Sequence, residues 1–146
     1  MQKTSDKLYL ILSAIFITSL VSCNLIFLKF FSIDIWIPFK DEPYTFTQSV
    51  GLLPYPITFL VTDIISEIYG KKRANDLVTA GLFASIFSYI IITIAKPFPA
   101  AVFSKVDDQA FELVFGFAGV AVFGSMLAYL FSQYVDIRLF HFWKNL

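Results

Sequence analysis

Four long apolar runs alternate with shorter polar or aromatic segments along the chain, and their lengths decide what they can be. A helix needs about 20 apolar residues to cross a hydrocarbon core of roughly 30 Å. Runs near residues 8–28, 49–69, 77–95 and 113–135 meet that measure. The pattern predicts an all-α fold, a polytopic transmembrane helix bundle that forms a single integral membrane domain over residues 1–146.

The polar interruptions within these runs differ. Span one, from Leu8 to Leu28, carries only Ser13, Thr18, Ser19, Ser22 and Asn24. Asn24 sits deep enough to need a partner, either another helix or a ligand. Span two begins irregularly, because Pro54 and Pro56 each remove a backbone donor and restrict the residue before them, so a broken or re-entrant start is expected. Gly70 is placed as a helix stop, and Gly70 to Asp76 reads as a short cationic turn carrying Lys71, Lys72 and Arg73. Span three, from Leu77 to Ala95, is nearly featureless. In span four Gly116, Gly119, Gly124 and Ala128 give the small-residue spacing that lets helices approach.

Between spans one and two, residues Lys29 to Gln48 hold Pro38, Pro43 and several charges, which break any long apolar window. Phe30, Phe31, Trp36, Phe39, Tyr44 and Phe46 suit an interfacial aromatic belt with a short extended or re-entrant stretch. The loop from Phe98 to Glu112 carries Lys105, Asp107 and Asp108.

Composition agrees with the pattern: 58% of residues are hydrophobic, 15% are charged and 18 are Phe, with a mean hydropathy of +0.74. Net charge is zero and no polybasic tail occurs, which argues against nucleic acid as a partner and leaves the lipid bilayer as the first one. The basic residues matter by location. Lys3, Lys7, Lys71, Lys72, Arg73, Arg138 and Lys144 would share one side of the membrane, against Lys29, Lys40, Lys96 and Lys105 on the other. That bias puts the N-terminus in the cytoplasm. One cysteine, Cys23, excludes an intrachain disulfide framework, and one histidine, His141, argues against an all-protein zinc site. The segment Leu20-Val21-Ser22-Cys23 behind Lys3 and Lys7 also fits a lipoprotein signal, but the apolar run continues to Leu28 and further spans follow.

Candidate chemistry concentrates at two places. Asp63 and Glu67, spaced i, i+4, share one face of span two about 6 Å apart, with Thr58 and Thr62 on an adjacent stripe. Like charges so close in a dry setting call for a shared proton, a cation, a positively charged ligand or several donors, although Glu67 could instead pair with Lys71 near the interface. At the end of span four Ser125, Tyr129, Ser132, Gln133 and Asp136 recur at helical spacing and would meet the acidic end of span two. Carboxylates, a carboxamide, hydroxyls and aromatic rings together suit a planar polar heterocycle held by its edge and stacked by its faces. Oxygen ligands are too few for a dedicated ion cage. No nucleophile elbow, phosphate loop or catalytic constellation is present, and no cofactor or metal is expected, so the chain does not read as an enzyme. His141, within Phe140-His141-Phe142-Trp143, reads as part of an aromatic belt.

The run from Leu53 to Ala74, containing Thr62-Asp63-Ile64-Ile65-Ser66-Glu67-Ile68-Tyr69-Gly70, resembles the signature of the bacterial queuosine precursor transporters, also called the vitamin-uptake-transporter-like family. Ala128 to Asp136, continuing to Phe140–Lys144, is a second match. The resemblance implies an inner-membrane protein of about six helices, similar in fold to the substrate-binding components of energy-coupled vitamin transporters. The four spans here would then be a truncated form of that fold. It also implies import of a 7-deazaguanine for tRNA modification: a cyano- or aminomethyl-deazaguanine, or queuine. Such a base would present N–H donors to Asp63 or Glu67 and to Asp136, and its carbonyl to the Gln133 amide, with Asn24 and Thr58 as secondary contacts. A homo-oligomer or separate energising subunits are compatible with that family. The alternatives are a substrate-capture subunit and an inactive fragment.

Overall fold

In the computed structural model, residues 2–38, 42–128 and 131 are described. The order is α1 (Gln2–Ile26), β1 (Phe30–Ile35), β2 (Tyr44–Ser49), a 3-10 turn (Val50–Leu52), α2 (Tyr55–Tyr69), α3 (Lys71–Ala95) and α4 (Asp108–Phe115). Helix resumes over 118–128 after a turn at residues 116–117. Four stretches are long and apolar enough to cross a membrane: Asp6–Ile26, Val50–Tyr69, Lys71–Ala95 and Asp108–Ala128. The predominantly helical architecture expected from the pattern is present.

The predicted aromatic loop folds into an antiparallel two-stranded hairpin. Its register puts Ser32 opposite Thr47 and Asp34 opposite Thr45 on one face, joined by hydrogen bonds of 2.9 and 2.7 Å. Ile33 opposite Phe46 and Ile35 opposite Tyr44 share the other face and are exposed. The period of two in Ile33, Ile35, Tyr44 and Phe46 is a strand signal.

Span two starts in two pieces, as its prolines require. A turn of 3-10 helix is capped by Ser49, whose hydroxyl donates to the Phe27 carbonyl at 2.5 Å and accepts from the Gly51 amide at 3.1 Å. A Cβ on Gly51 would lie 2.7 Å from the Cys23 carbonyl oxygen and 2.8 Å from the Phe27 Cα, so only glycine lets this turn lie on α1. Pro56 then occupies the first turn of α2, where its missing N–H removes no helical bond. Helix α1 runs unbroken through the buried Cys23.

The junction of α2 and α3 differs from the sequence expectation. The expected cationic turn at 70–76 is instead the opening of α3, and Gly70 alone reverses the chain. Its φ of 85° and ψ of 160° fall in a region essentially closed to other residues. Because the helix axis changes there, Lys71 is not one turn beyond Glu67 on the same helix, and the expected Glu67–Lys71 pair does not form; the ion pair among the described residues joins Lys96 to Glu112 at 2.8 Å.

Helices α1, α2 and α3 meet along Phe16, Leu20, Val61, Ile65, Ala74 and Leu77, with Ile65 at 0% exposure. Burying side chains of this size against one another fixes the rotation of each helix through close packing. At one end the Tyr9 ring stacks edge-on to Tyr69 and lies 5.1 Å beneath the Arg73 guanidinium, while its hydroxyl donates to the Arg73 carbonyl at 3.4 Å. The α1 N-terminus and Lys71–Arg73 therefore share one end of the bundle, and the hairpin and Lys96 share the other. Large apolar side chains elsewhere, including Leu10, Phe83, Phe87 and Ile94, face outward as a lipid-facing surface requires.

Candidate functional site

The four spans converge on a cavity of about 430 Å³, within the roughly 300–1,000 Å³ of small-molecule sites. Each span contributes to its wall: Phe16 and Leu20 from α1, Tyr55, Thr58, Phe59 and Thr62 from α2, Val78 and Leu82 from α3, and Ser125 and Ala128 from the last helical stretch. Tyr55 and Phe59 stand one turn apart on α2, with ring centroids 5.6 Å apart and planes inclined by 56°, forming an aromatic corner. An aromatic corner beside hydroxyl groups can stack a flat ring and hold its edge.

The hydroxyls are oriented by local bonds. Thr58, 6% exposed, donates to the Tyr55 carbonyl at 2.6 Å. The Thr62 hydroxyl lies 2.8 Å from the Phe59 carbonyl and 3.1 Å from that of Thr58. Threonine in a helix commonly donates back to the preceding turn in this way, which lets the side chain be buried without an unmet donor. The Tyr55 hydroxyl has no hydrogen-bond partner among the described residues.

Behind the cavity lies a polar node. The buried Asn24 carboxamide donates to Ser85 Oγ of α3 at 3.4 Å, and its Oδ1 is 2.9 Å from Ser125 Oγ. Ser125 Oγ is also 2.6 Å from the Ala121 carbonyl, so its single proton has two acceptors. Asn24 thus links three spans and touches the cavity through Ser125, which faces both.

The remaining candidates are distributed unevenly. Thr58 is in the cavity wall, whereas Asp63 and Glu67 are exposed on another face of α2 and do not line it. Asp63 follows Thr62 by one residue, about 100° round the helix. Gln133 and Asp136 lie outside the described residues. Tyr55 and Phe59 were not singled out in the sequence, although their i, i+4 spacing beside Thr58 and Thr62 is a legible stripe. No group of three His, Cys, Asp or Glu among the described residues is placed to hold a metal ion.

Comparison with known proteins gives a consistent picture. A family model described as putative vitamin uptake transporter matches residues 49–146. The chain is 29% identical over 100 residues to a protein of Bacillus subtilis (strain 168) named "Probable queuosine precursor transporter", covering 68% of this chain and 43% of the relative. It is 30% identical over 103 residues to a Haemophilus influenzae protein of the same name, covering 67% of this chain and 40% of that relative. The chain therefore spans about two-fifths of the length of these relatives. No solved structure matches it.

Proposed function

The chain belongs to the putative vitamin uptake transporter family, and from that premise we propose that it takes part in importing a 7-deazaguanine precursor of queuosine across the inner membrane. The candidate bases are the cyano and aminomethyl derivatives and queuine, and the N-terminus lies in the cytoplasm. The names of the two relatives support the substrate class. The observation that carries the reading in this chain is the cavity where four membrane-spanning stretches meet, walled by an aromatic corner and by hydroxyls.

In this reading Thr58 contacts the base directly and Asn24 acts through Ser125. Gln133 and Asp136 are assigned the carbonyl and N–H edges on the sequence argument alone. Asp63 and Glu67, one stripe away from the cavity, are assigned to proton coupling. Ionisable side chains within an apolar span are costly and mark ion or solute pathways.

The test is direct titration of the purified chain in nanodiscs with the three bases. Saturable binding of at least one, with guanosine as a non-binding control, is the expected result. Failure of all three would remove the proposal.

A further inference from the structure

The hairpin of β1 and β2 has two unlike faces, and the proposed solute site uses neither. On one face Ser32 is bonded to Thr47, and Thr45 donates to Asp34. On the other, Ile33, Ile35, Tyr44 and Phe46 form two cross-strand pairs and are between 39% and 53% exposed. We propose that this apolar face rests on the membrane itself, with the hairpin lying along the boundary between headgroups and acyl chains at the end of the bundle opposite the α1 N-terminus.

Three constraints fix that position, and the first is the root of the hairpin. The Val50 amide donates to the Lys29 carbonyl at 2.7 Å and Ser49 Oγ to the Phe27 carbonyl at 2.5 Å, which ties the end of β2 to the end of α1. The elements on either side are long and apolar enough to cross the membrane, so both strands leave from its surface. Leu28, Leu52 and Leu53 are exposed at the same root. The lipid-facing surface of the spans therefore continues up to the strands.

The second constraint is the cost of leaving the apolar face in water. An isolated two-stranded hairpin is at best marginally stable there, and packing of its hydrophobic face against something else is what stabilises it. Four large side chains exposed together on one face form a patch of the kind that marks a membrane or protein contact. Tyr44 lies in that patch, and Trp36, 72% exposed, follows β1 directly. Rings of these two types, apolar in body and polar at one edge, are enriched at headgroup level.

The third is the cost of going deeper. A sheet of two strands has a free edge on each, and the backbone N–H and C=O groups of those edges need water. Open sheet edges facing lipid do not occur within the hydrocarbon region. The row of Ser32, Asp34, Thr45 and Thr47 makes the same demand on the polar face. Only the interface hydrates the edges and the polar row while covering the apolar pairs, as it does for amphipathic helices that lie in its plane.

The experiment reads each face with a nitroxide attached to a single introduced cysteine in the Cys23→Ala chain, reconstituted in nanodiscs. Ile33→Cys and Tyr44→Cys report the apolar face, and Thr45→Cys and Thr47→Cys the polar one; circular dichroism checks that each is folded, and either residue of a pair suffices to read its face. Collision with oxygen, which concentrates in lipid, is compared with collision with a water-soluble nickel chelate. Oxygen should dominate at positions 33 and 44 and the chelate at 45 and 47, so the contrast changes sign between neighbours. Dominance of the chelate at all four positions places the hairpin in water and overturns the inference. Low access of both reagents at 33 and 44 shows that protein covers the face, a second copy included, and overturns it as well. Dominance of oxygen at all four does the same, because the hairpin is then submerged. The transport reading stands in each case, since it rests on the cavity.

Discussion

The two faces of α2 treat polar atoms in opposite ways. On the inward face Thr58 and Thr62 sit among Val61, Ile65, Leu20 and Phe16, and their hydroxyls are satisfied by the carbonyls of the preceding turn. On the outward face Asp63 and Glu67 stand beside the exposed Leu60 and Ile68 with no such local solution. A hydroxyl can return its one proton to its own helix and be buried at little cost. A carboxylate has only acceptors to offer, and the helix interior has no spare N–H to give it. The same helix therefore presents a neutral, pre-oriented wall on one side and a titratable pair on the other.

Substitutions on each face separate these roles. Ile65→Ala, at a fully buried site, should lower stability by about 2–5 kcal/mol in a detergent unfolding titration. Leu60→Ala on the outer face should change it by under about 0.5 kcal/mol, and equal losses at the two sites would erase the distinction. Gly70→Ala should cost about 1–3 kcal/mol, because alanine cannot adopt the φ of 85° that sets the rotation of α2 against α3. Circular dichroism during thermal melting reads that loss, and an unchanged melt would show that the junction tolerates another geometry.

Smaller effects sharpen the division. Asn24→Leu removes the bridge between α1, α3 and Ser125 and should cost about 0.6–1.7 kcal/mol, the usual range for polar contacts between membrane helices. It should also weaken ligand binding, since Ser125 loses its partner; binding unchanged in a destabilised variant would confine Asn24 to packing. Asp63→Asn should alter stability by no more than about 0.5 kcal/mol and leave equilibrium binding intact while uptake driven by a proton gradient falls. Loss of binding in that variant would move Asp63 from the coupling face into the ligand site.

Much of the architecture is legible from local features. The number of spans follows from run length, the broken start of α2 from Pro54 and Pro56, and the stop at Gly70 from its position after an apolar run. The hairpin was less legible, because aromatic residues at 30–46 serve equally as belt or strand until the pairing of Ile33 with Phe46 and Ser32 with Thr47 is known. The single-residue junction was hidden for another reason: Lys71, Lys72 and Arg73 look like a turn by composition, yet they are good helix formers and simply begin α3. Of the site candidates, Thr58 and Asn24 lie at or beside the cavity and Asp63 and Glu67 do not line it.

By itself the sequence determined that the chain is a membrane helix bundle, where its spans break, and which residues share a stripe on α2, since each depends on neighbours within a turn or two. Only the tertiary structure decided which stripe faces the cavity. In water, hydrophobicity would have marked the inward face, but in a bilayer lipid-facing and core-facing positions are equally apolar. Ile65 and Leu60 are indistinguishable by type; the packing of Ile65 within the core formed with Phe16 and Leu77 turns Thr58 and Thr62 inward and leaves Asp63 outside.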